Sequence, residues 1–289
     1  MRKIICTAIS GMICTSAALS GCGGSSENSS PSAQIRAVDV AVNTVDSTKN
    51  NQDTGSVLIN GANIGSGQYG VPTEYRPFPT EHVQFQAKTT LPLPVKQTAG
   101  SDIATTITPI VSTMNLTPGQ RYTAFLTGQR DIIDPSGQIY DGPAVDYFSF
   151  LNIFVLADDQ PAPPPGQATV RVLVAGAMGV VNVAVNGSVP VAFQNLYYST
   201  PNVPYPGGFS PPAGTASVSS NIFLGAGTVS IQVDDLISNQ PIIPTTPITL
   251  AAGAKYTLVV TKPTSAPYIN NSPVVPPVTT TYALKLVKN

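Results

Sequence analysis

Along most of the chain apolar and polar positions alternate. Val181, Val183 and Val185 fall on one side, with Asn182, Ala184 and Asn186 on the other. Val229, Ile231 and Val233 alternate with Ser230, Gln232 and Asp234, and Tyr256, Leu258 and Val260 with Thr257, Val259 and Thr261. A period of two predicts strands with one buried face. Asn60-Gly61 and Asn186-Gly187 predict tight hairpins, because both residues tolerate positive φ. No long stretch beyond residue 21 has a helical period, so an all-β protein is expected.

The pattern occurs twice. LTPGQRYTAFLT (Leu116 to Thr127) and LAAGAKYTLVVT (Leu250 to Thr261) share Leu, Gly, a basic residue, Tyr and Thr at one spacing. In the same order, AQIRAVDVAV from Ala33 pairs with ATVRVLVAG from Ala168, and VLINGANI from Val57 with VAVNGSVP from Val183. EHVQFQA from Glu81 pairs with GTVSIQV from Gly227, and FLNIFVLAD from Phe150 with TYALKLVKN from Thr281. Two tandem domains follow, 33–159 and 167–289. Between them residues 160–166, QPAPPPG, predict a stiff polyproline-like spacer.

The first residues follow another logic. Met1-Arg2-Lys3 precedes a short apolar run, Ile4 to Leu19, the layout of a secretory leader. That run is shorter and more polar than a membrane span, which needs ~20 apolar residues. Leu19-Ser20-Gly21-Cys22 resembles a bacterial lipobox. The resemblance implies a signal peptide over 1–21, cleavage before Cys22, and acyl chains on that residue. Two or more chains exceed the threshold for stable anchoring. Residues 22–32, rich in Gly and Ser, read as a flexible tether. Gly23 stands where Asp would imply inner-membrane retention, so the expected location is the cell envelope, at the outer membrane if the cell has one. All three cysteines lie in the first 22 residues. Cys6 and Cys14 leave with the leader, and the mature domains have neither thiol nor disulfide to hold them.

Composition supports this picture. The chain has 28 Pro, 24 Gly and only 10% charged residues, a turn-rich β profile. Losing Arg2 and Lys3 takes the formal net charge from −1 to −3. With no basic run, nucleic acid is not an expected partner.

About seven strands per repeat predict immunoglobulin-like β-sandwiches. The L-x-x-G-x-x-Y pattern predicts a tyrosine corner at Tyr122 and Tyr256, a structural role; half-buried strand tyrosines are the plainer alternative. Val170-Arg171-Val172, VNVAVNG (Val181 to Gly187) and Leu250 to Thr257 resemble the modules of domain of unknown function family 4397, bacterial surface proteins. That resemblance implies a secreted or surface-anchored sandwich and no reaction. The family's H-A-S-P-D-A-P stretch is replaced here by Ala175-Gly176-Ala177-Met178.

Candidate chemistry is sparse. His82 is the single histidine and reads as a solvated strand-end residue. No G-x-S-x-G elbow is present, and a single histidine without free thiols argues against a zinc site. The acid-rich loop from Asp131 to Gly142 lacks EF-hand spacing. Asp158-Asp159 and Asp234-Asp235 read as surface or linker acids, since neighbours on a strand point to opposite faces. No catalytic residue, metal or cofactor is expected. The binding candidates are aromatics on Pro-stiffened loops: Tyr69, Tyr75 and Phe78 in the first repeat, and Tyr197, Tyr198, Tyr205 and Phe209 in the second. Such rings can anchor a partner at low entropic cost, or plug the end of a sandwich. The expected function is non-enzymatic: a tandem binding or adhesion module tied to the membrane through lipid on Cys22. Its partner would be an envelope protein. The alternatives are a cell-wall glycan ligand and a passive surface spacer.

Overall fold

The computed structural model describes residues 32–41, 56–64, 69–90, 106–107, 111–128, 152–176, 180–197, 217–236, 240–261 and 283–289. The leader with Cys6 and Cys14, Cys22 and its tether up to Pro31, the loop from Asp131 to Gly142, and Tyr198, Tyr205 and Phe209 lie outside them. Within the described residues the protein is all-β: two tandem immunoglobulin-like β-sandwiches. The one helical element among the described residues is a 3-10 turn at Val191–Phe193.

The first sandwich contains β1 (Ser32–Asp39), β2 (Ser56–Ile59), β3 (Ala62–Asn63), β4 (Arg76–Pro79), β5 (Val83–Thr90), β6 (Thr106–Ile107), β7 (Val111–Met114), β8 (Arg121–Thr127) and β9 (Asn152–Ala157). The second contains β10 (Gln167–Val174), β11 (Val181–Val185), β12 (Ile222–Gly225), β13 (Gly227–Asp235), β14 (Gln240–Leu250), β15 (Lys255–Thr261) and β16 (Ala283–Lys288). Each sandwich has a four-stranded sheet of one design, β4-β1-β8-β9 in the first and β12-β10-β15-β16 in the second. In each, the first strand of the module lies parallel to the tyrosine-bearing strand, Ile35 beside Tyr122 and Val170 beside Tyr256. The opposing sheets are built around β2 and β5, and around β13 between β11 and β14.

The two Asn-Gly pairs make the tight turns their sequence predicts. Asn60 and Gly61 have φ of 50° and 79°, and Asn186 and Gly187 of 51° and 79°. Each Asn also ties its hairpin to the neighbouring strand. The Asn60 carboxamide oxygen accepts the Gln84 amide at 2.8 Å, and that of Asn186 accepts the Ser230 amide at 2.9 Å. Such side-chain-to-backbone bonds fix the register of a short strand.

Strand periodicity divides the side chains between two destinations. Ala33, Ile35 and Ala37 of β1 and Tyr122, Ala124 and Leu126 of β8 point into the first core, against Val57, Ile59, Val83 and Phe85. Ala168, Val170, Val172 and Val174 of β10 and Tyr256, Leu258 and Val260 of β15 fill the second core. The intervening residues do not face water. Val38, Val40 and Phe125 from the first module pack with Leu173, Ala175, Val259 and Val287 from the second in a third buried cluster. This corrects the expectation of one buried face. Along β1, β8, β10 and β15 both faces are covered, because the four-stranded sheet of each module is the lid of the other. Near-continuous burial from Ile35 to Ala41 and from Ala168 to Ala175 follows.

The Pro-rich segment is docked rather than spanning a gap. Gln160 is buried, its amide nitrogen donating to the Tyr256 carbonyl at 3.0 Å and to Asn221 Oδ1 at 3.1 Å. The Thr169 hydroxyl donates to the Pro161 carbonyl. A backbone bond from Gly128 N–H to the Ala175 carbonyl, 2.7 Å, also joins the modules.

A shared layer of this kind couples the modules' stabilities. Urea denaturation of residues 31–289, followed by tyrosine fluorescence, is expected to show one transition. Phe125→Ala, which removes a fully buried ring from the layer, should lower stability by about 3–5 kcal/mol. Two transitions, only one of them shifted by the substitution, would show that the modules unfold independently.

Candidate functional site

The layer between the modules has an apolar middle and, at one end, a polar cluster drawn from both modules. The off-core residues of β1 and the residue after it run Arg36, Val38, Val40, and those of β8 run Thr123, Phe125, Thr127. Those of β10 and the residue after it run Arg171, Leu173, Ala175, and those of β15 Thr257, Val259, Thr261. Every strand thus brings a polar group to the same end.

Repeat-equivalent residues make equivalent bonds there. Arg36 Nε donates to Thr123 Oγ1 at 2.9 Å, and Arg171 Nε donates to Thr257 Oγ1 at 3.0 Å. Both arginines are buried, each 7% exposed, so their charges need compensation within the protein. Asp158, just past the end of β9, supplies it for Arg171. Its Oδ1 lies 3.4 Å from Arg171 Nη2, with side-chain exposures of 3% and 8% for the acid and the base. Its Oδ2 accepts the Thr123 hydroxyl at 2.7 Å and the Tyr75 hydroxyl at 2.8 Å. Arg171 Nη1 completes its donation at the Ala157 carbonyl. The reading of Asp158 as a surface or linker acid is therefore corrected. The second module closes over it, while its neighbour Asp159 is exposed.

The end of β16 extends the network. Arg36 Nη2 donates to the Lys288 carbonyl at 2.9 Å and to Asn289 Oδ1 at 3.2 Å. The Asn289 amide nitrogen donates to Gln160 Oε1 and Thr257 Oγ1. Burial pushes the Arg171 guanidinium below its ordinary pKa, and Asp158 opposes that shift. The Tyr75 phenol is pushed up to about 12, first by burial and then by the charge of Asp158 and the hydrogen bond to it. The Tyr75 ring carries two guanidiniums, Arg36 Cζ at 4.8 Å from its centroid and Arg121 Cζ at 5.1 Å.

This polar end opens into a cleft of about 660 Å³. Arg36, Tyr75, Arg121 and Asp158 line it from the first module, and Lys255, Lys288, Asn289 and the loop Ala251–Ala254 from the second. The two equivalent tyrosines hold their corner loops by one bond. The Tyr122 hydroxyl accepts the Thr117 amide at 2.9 Å and that of Tyr256 the Ala251 amide at 3.1 Å, each five residues back. One wall of the cleft is thereby fixed by Tyr256.

The aromatic candidates separate. Tyr75 lies in the cleft wall, but Arg36 and Arg121 occupy its ring. Tyr69 does not face a partner. It is buried between the modules, its hydroxyl 3.0 Å from Thr261 Oγ1, with Lys285 Nζ 5.2 Å from its ring centroid. Gly70, at φ 71°, allows that approach, since a Cβ there would meet the Lys285 chain at 2.9 Å. Phe78 is partly buried against the first core. Tyr197 is buried beside Leu196, which exchanges backbone hydrogen bonds with Val181. Tyr69, Phe78 and Tyr197 are thus packing elements, not presented rings.

His82 is exposed at the turn before β5, at φ 49°, its amide donating to Asn115 Oδ1. No group of three or more His, Cys, Asp or Glu side chains gathers among the described residues. No helix among them is long and apolar enough to cross a membrane. Sequence reading missed Arg36, Asp158 and Arg171. The available signal was an arginine at the same position of an otherwise apolar strand in both repeats.

No family model matches the chain, and no curated protein does. Among solved structures it is similar to a candidate cell adhesion protein from Parabacteroides distasonis, 10% identical, covering 89% of this chain and 99% of that one at a TM-score of 0.18. Another, a candidate cell adhesion protein from Bacteroides eggerthii, is 11% identical over 90% of this chain and 95% of that one, with a TM-score of 0.17. Both scores lie below those of a shared fold, so the architecture rests on this chain's own strands.

Two outcomes are expected at this centre. Asp158→Ala leaves Arg171 buried without its acid and should cost about 3–5 kcal/mol by urea denaturation. For Tyr75 the folded protein holds the neutral phenol, with a pKa raised from 10.0 to about 12. Its contribution is complete below pH 10 and fades as pH rises towards 12. Stability measured from pH 9 to 12 should therefore fall more steeply in the wild type than in Tyr75→Phe; equal slopes would contradict the assignment.

Proposed function

We propose that the protein is a non-enzymatic lipoprotein of the cell envelope whose paired sandwiches bind an envelope partner. Acyl chains on Cys22 would hold it to the membrane, with residues 22–32 as the tether. The observation that carries the binding reading is the packing of the modules through a common buried layer. A body joined in this way presents its loops and its cleft in a fixed relation, which lowers the ordering cost of binding. A chain of freely jointed modules would serve reach instead. The leader pattern ending at Leu19-Ser20-Gly21-Cys22 supports the location.

Fractionation of cells expressing Cys22→Ser is expected to move the protein out of the membrane fraction; retention there would rule out the lipid anchor. A lipid-free fragment, residues 31–289, is expected to retain a component of solubilised envelope on a column. If the folded fragment retains nothing, the binding reading falls and a passive spacer replaces it.

A further inference from the structure

We infer that the cleft between the modules is a binding site for an oxyanion, the carboxylate or phosphate of a small ligand. The inference rests on the reading of the protein as a binding module and names the chemistry of its ligand.

Charge placement carries it. The chain has 14 cationic side chains and a formal net charge of −1. Arg36, Arg121, Lys255 and Lys288 nevertheless line this one cleft, with Asp158 the single acidic side chain among the lining residues. The charge of Asp158 is already engaged by Arg171, and its second oxygen by Tyr75 and Thr123. The acceptors that Arg36 meets are all uncharged: a threonine hydroxyl, the Lys288 carbonyl and the Asn289 carboxamide. Arg121 Nε meets only the Gln34 carboxamide oxygen. Among the described residues, none of these four cations has a carboxylate of its own. Their summed potential is focused in a concave site with low-dielectric walls, where it attracts anions over distances of about a Debye length.

The shape agrees. A volume of about 660 Å³ falls within the range of small-molecule sites, ~300–1,000 Å³. Arg36 is fixed by three hydrogen bonds and by the Tyr75 ring, so little side-chain entropy remains to be lost when an anion binds. Opposite, Ala251, Ala252, Gly253 and Ala254 put no long side chain into the space. With both guanidiniums over the Tyr75 ring, stacking of a neutral sugar there is disfavoured. The charge on the ligand, not its ring face, would be what is recognised.

Calorimetric titration of the lipid-free protein with glucuronate, inorganic phosphate and glucose tests this. Glucuronate or phosphate should bind and weaken as salt is raised, while glucose gives no signal; preference between the two anions identifies the ligand group. Arg121→Gln with Lys288→Gln, two exposed residues whose side chains make no hydrogen bond to Asp158, should weaken anion binding about tenfold or more with the fold retained. Absence of binding by either anion to folded wild type overturns the inference, as does binding that the double variant leaves intact. If the anions fail to bind while an envelope component is still retained on the column, the site is wrong and the functional reading stands. If they bind while no component is retained, the site stands and the envelope-partner reading falls.

Discussion

Asp158 is the group on which the arrangement of the two modules depends. It follows the last strand of the first sandwich, yet the base it compensates, Arg171, belongs to the first strand of the second. Removing either leaves a charge in a place that water reaches poorly, and such a charge is far costlier than a missing apolar contact. Tyr75 and Thr123 add two neutral donors to the same carboxylate. The acid is thereby satisfied on both oxygens, which a buried carboxylate requires.

The duplication explains why two arginines meet at all. Arg36 and Arg171 occupy one position of the repeat and reach the hydroxyls of Thr123 and Thr257, again one position. Packing the two sheets face to face brings both guanidiniums to one end of the layer. Like charges there repel, and Arg36 is one of the groups that lowers the Arg171 pKa. The repeat itself holds no solution to this. Asp158 comes from the junction between modules, where the pair breaks its symmetry, and Asn289 comes from the end of β16. A single copy of the module would have its arginine and threonine but not the acid from a preceding copy.

Much of the fold could be read directly. Alternation in β11, β13 and β15, the Asn-Gly turns and the repeated Leu-Gly-Tyr-Thr spacing are local signals, set by pleat, positive φ and a bond five residues long. The pairing of module with module is not local. Val38, Phe125, Leu173 and Val259 announce only that a strand is apolar on both sides, which a central strand of any sandwich could share. The cleft was hidden for the same reason. Arg36 and Asp158 are 122 positions apart, and no spacing rule relates them. The aromatic loops drew attention by composition, but burial of Tyr69, Phe78 and Tyr197 gave them to packing. What was legible in principle was Arg171 between Val170 and Val172, and Arg36 between Ile35 and Ala37: a cation alternating with core apolar residues in both repeats marks a buried charge in search of an acid.

An apolar layer would have joined the modules more simply. Val38, Val40, Phe125, Leu173 and Val259 already do so at one end, and extending that pattern would avoid desolvating three charges. Buried ion pairs of this kind are often no more stabilising than hydrophobic replacements of similar volume. Their advantage is angular. Apolar sheets can slide and rotate over one another with little change in energy, whereas the Asp158 bonds and the fork of Arg36 onto Lys288 and Asn289 are satisfied in one relation only. Fixing that relation also fixes how far Arg121 stands from Lys255 and Lys288 across the cleft. The polar end of the layer thus sets the geometry of the opening it borders, while the layer's apolar residues bury surface between the two sandwiches.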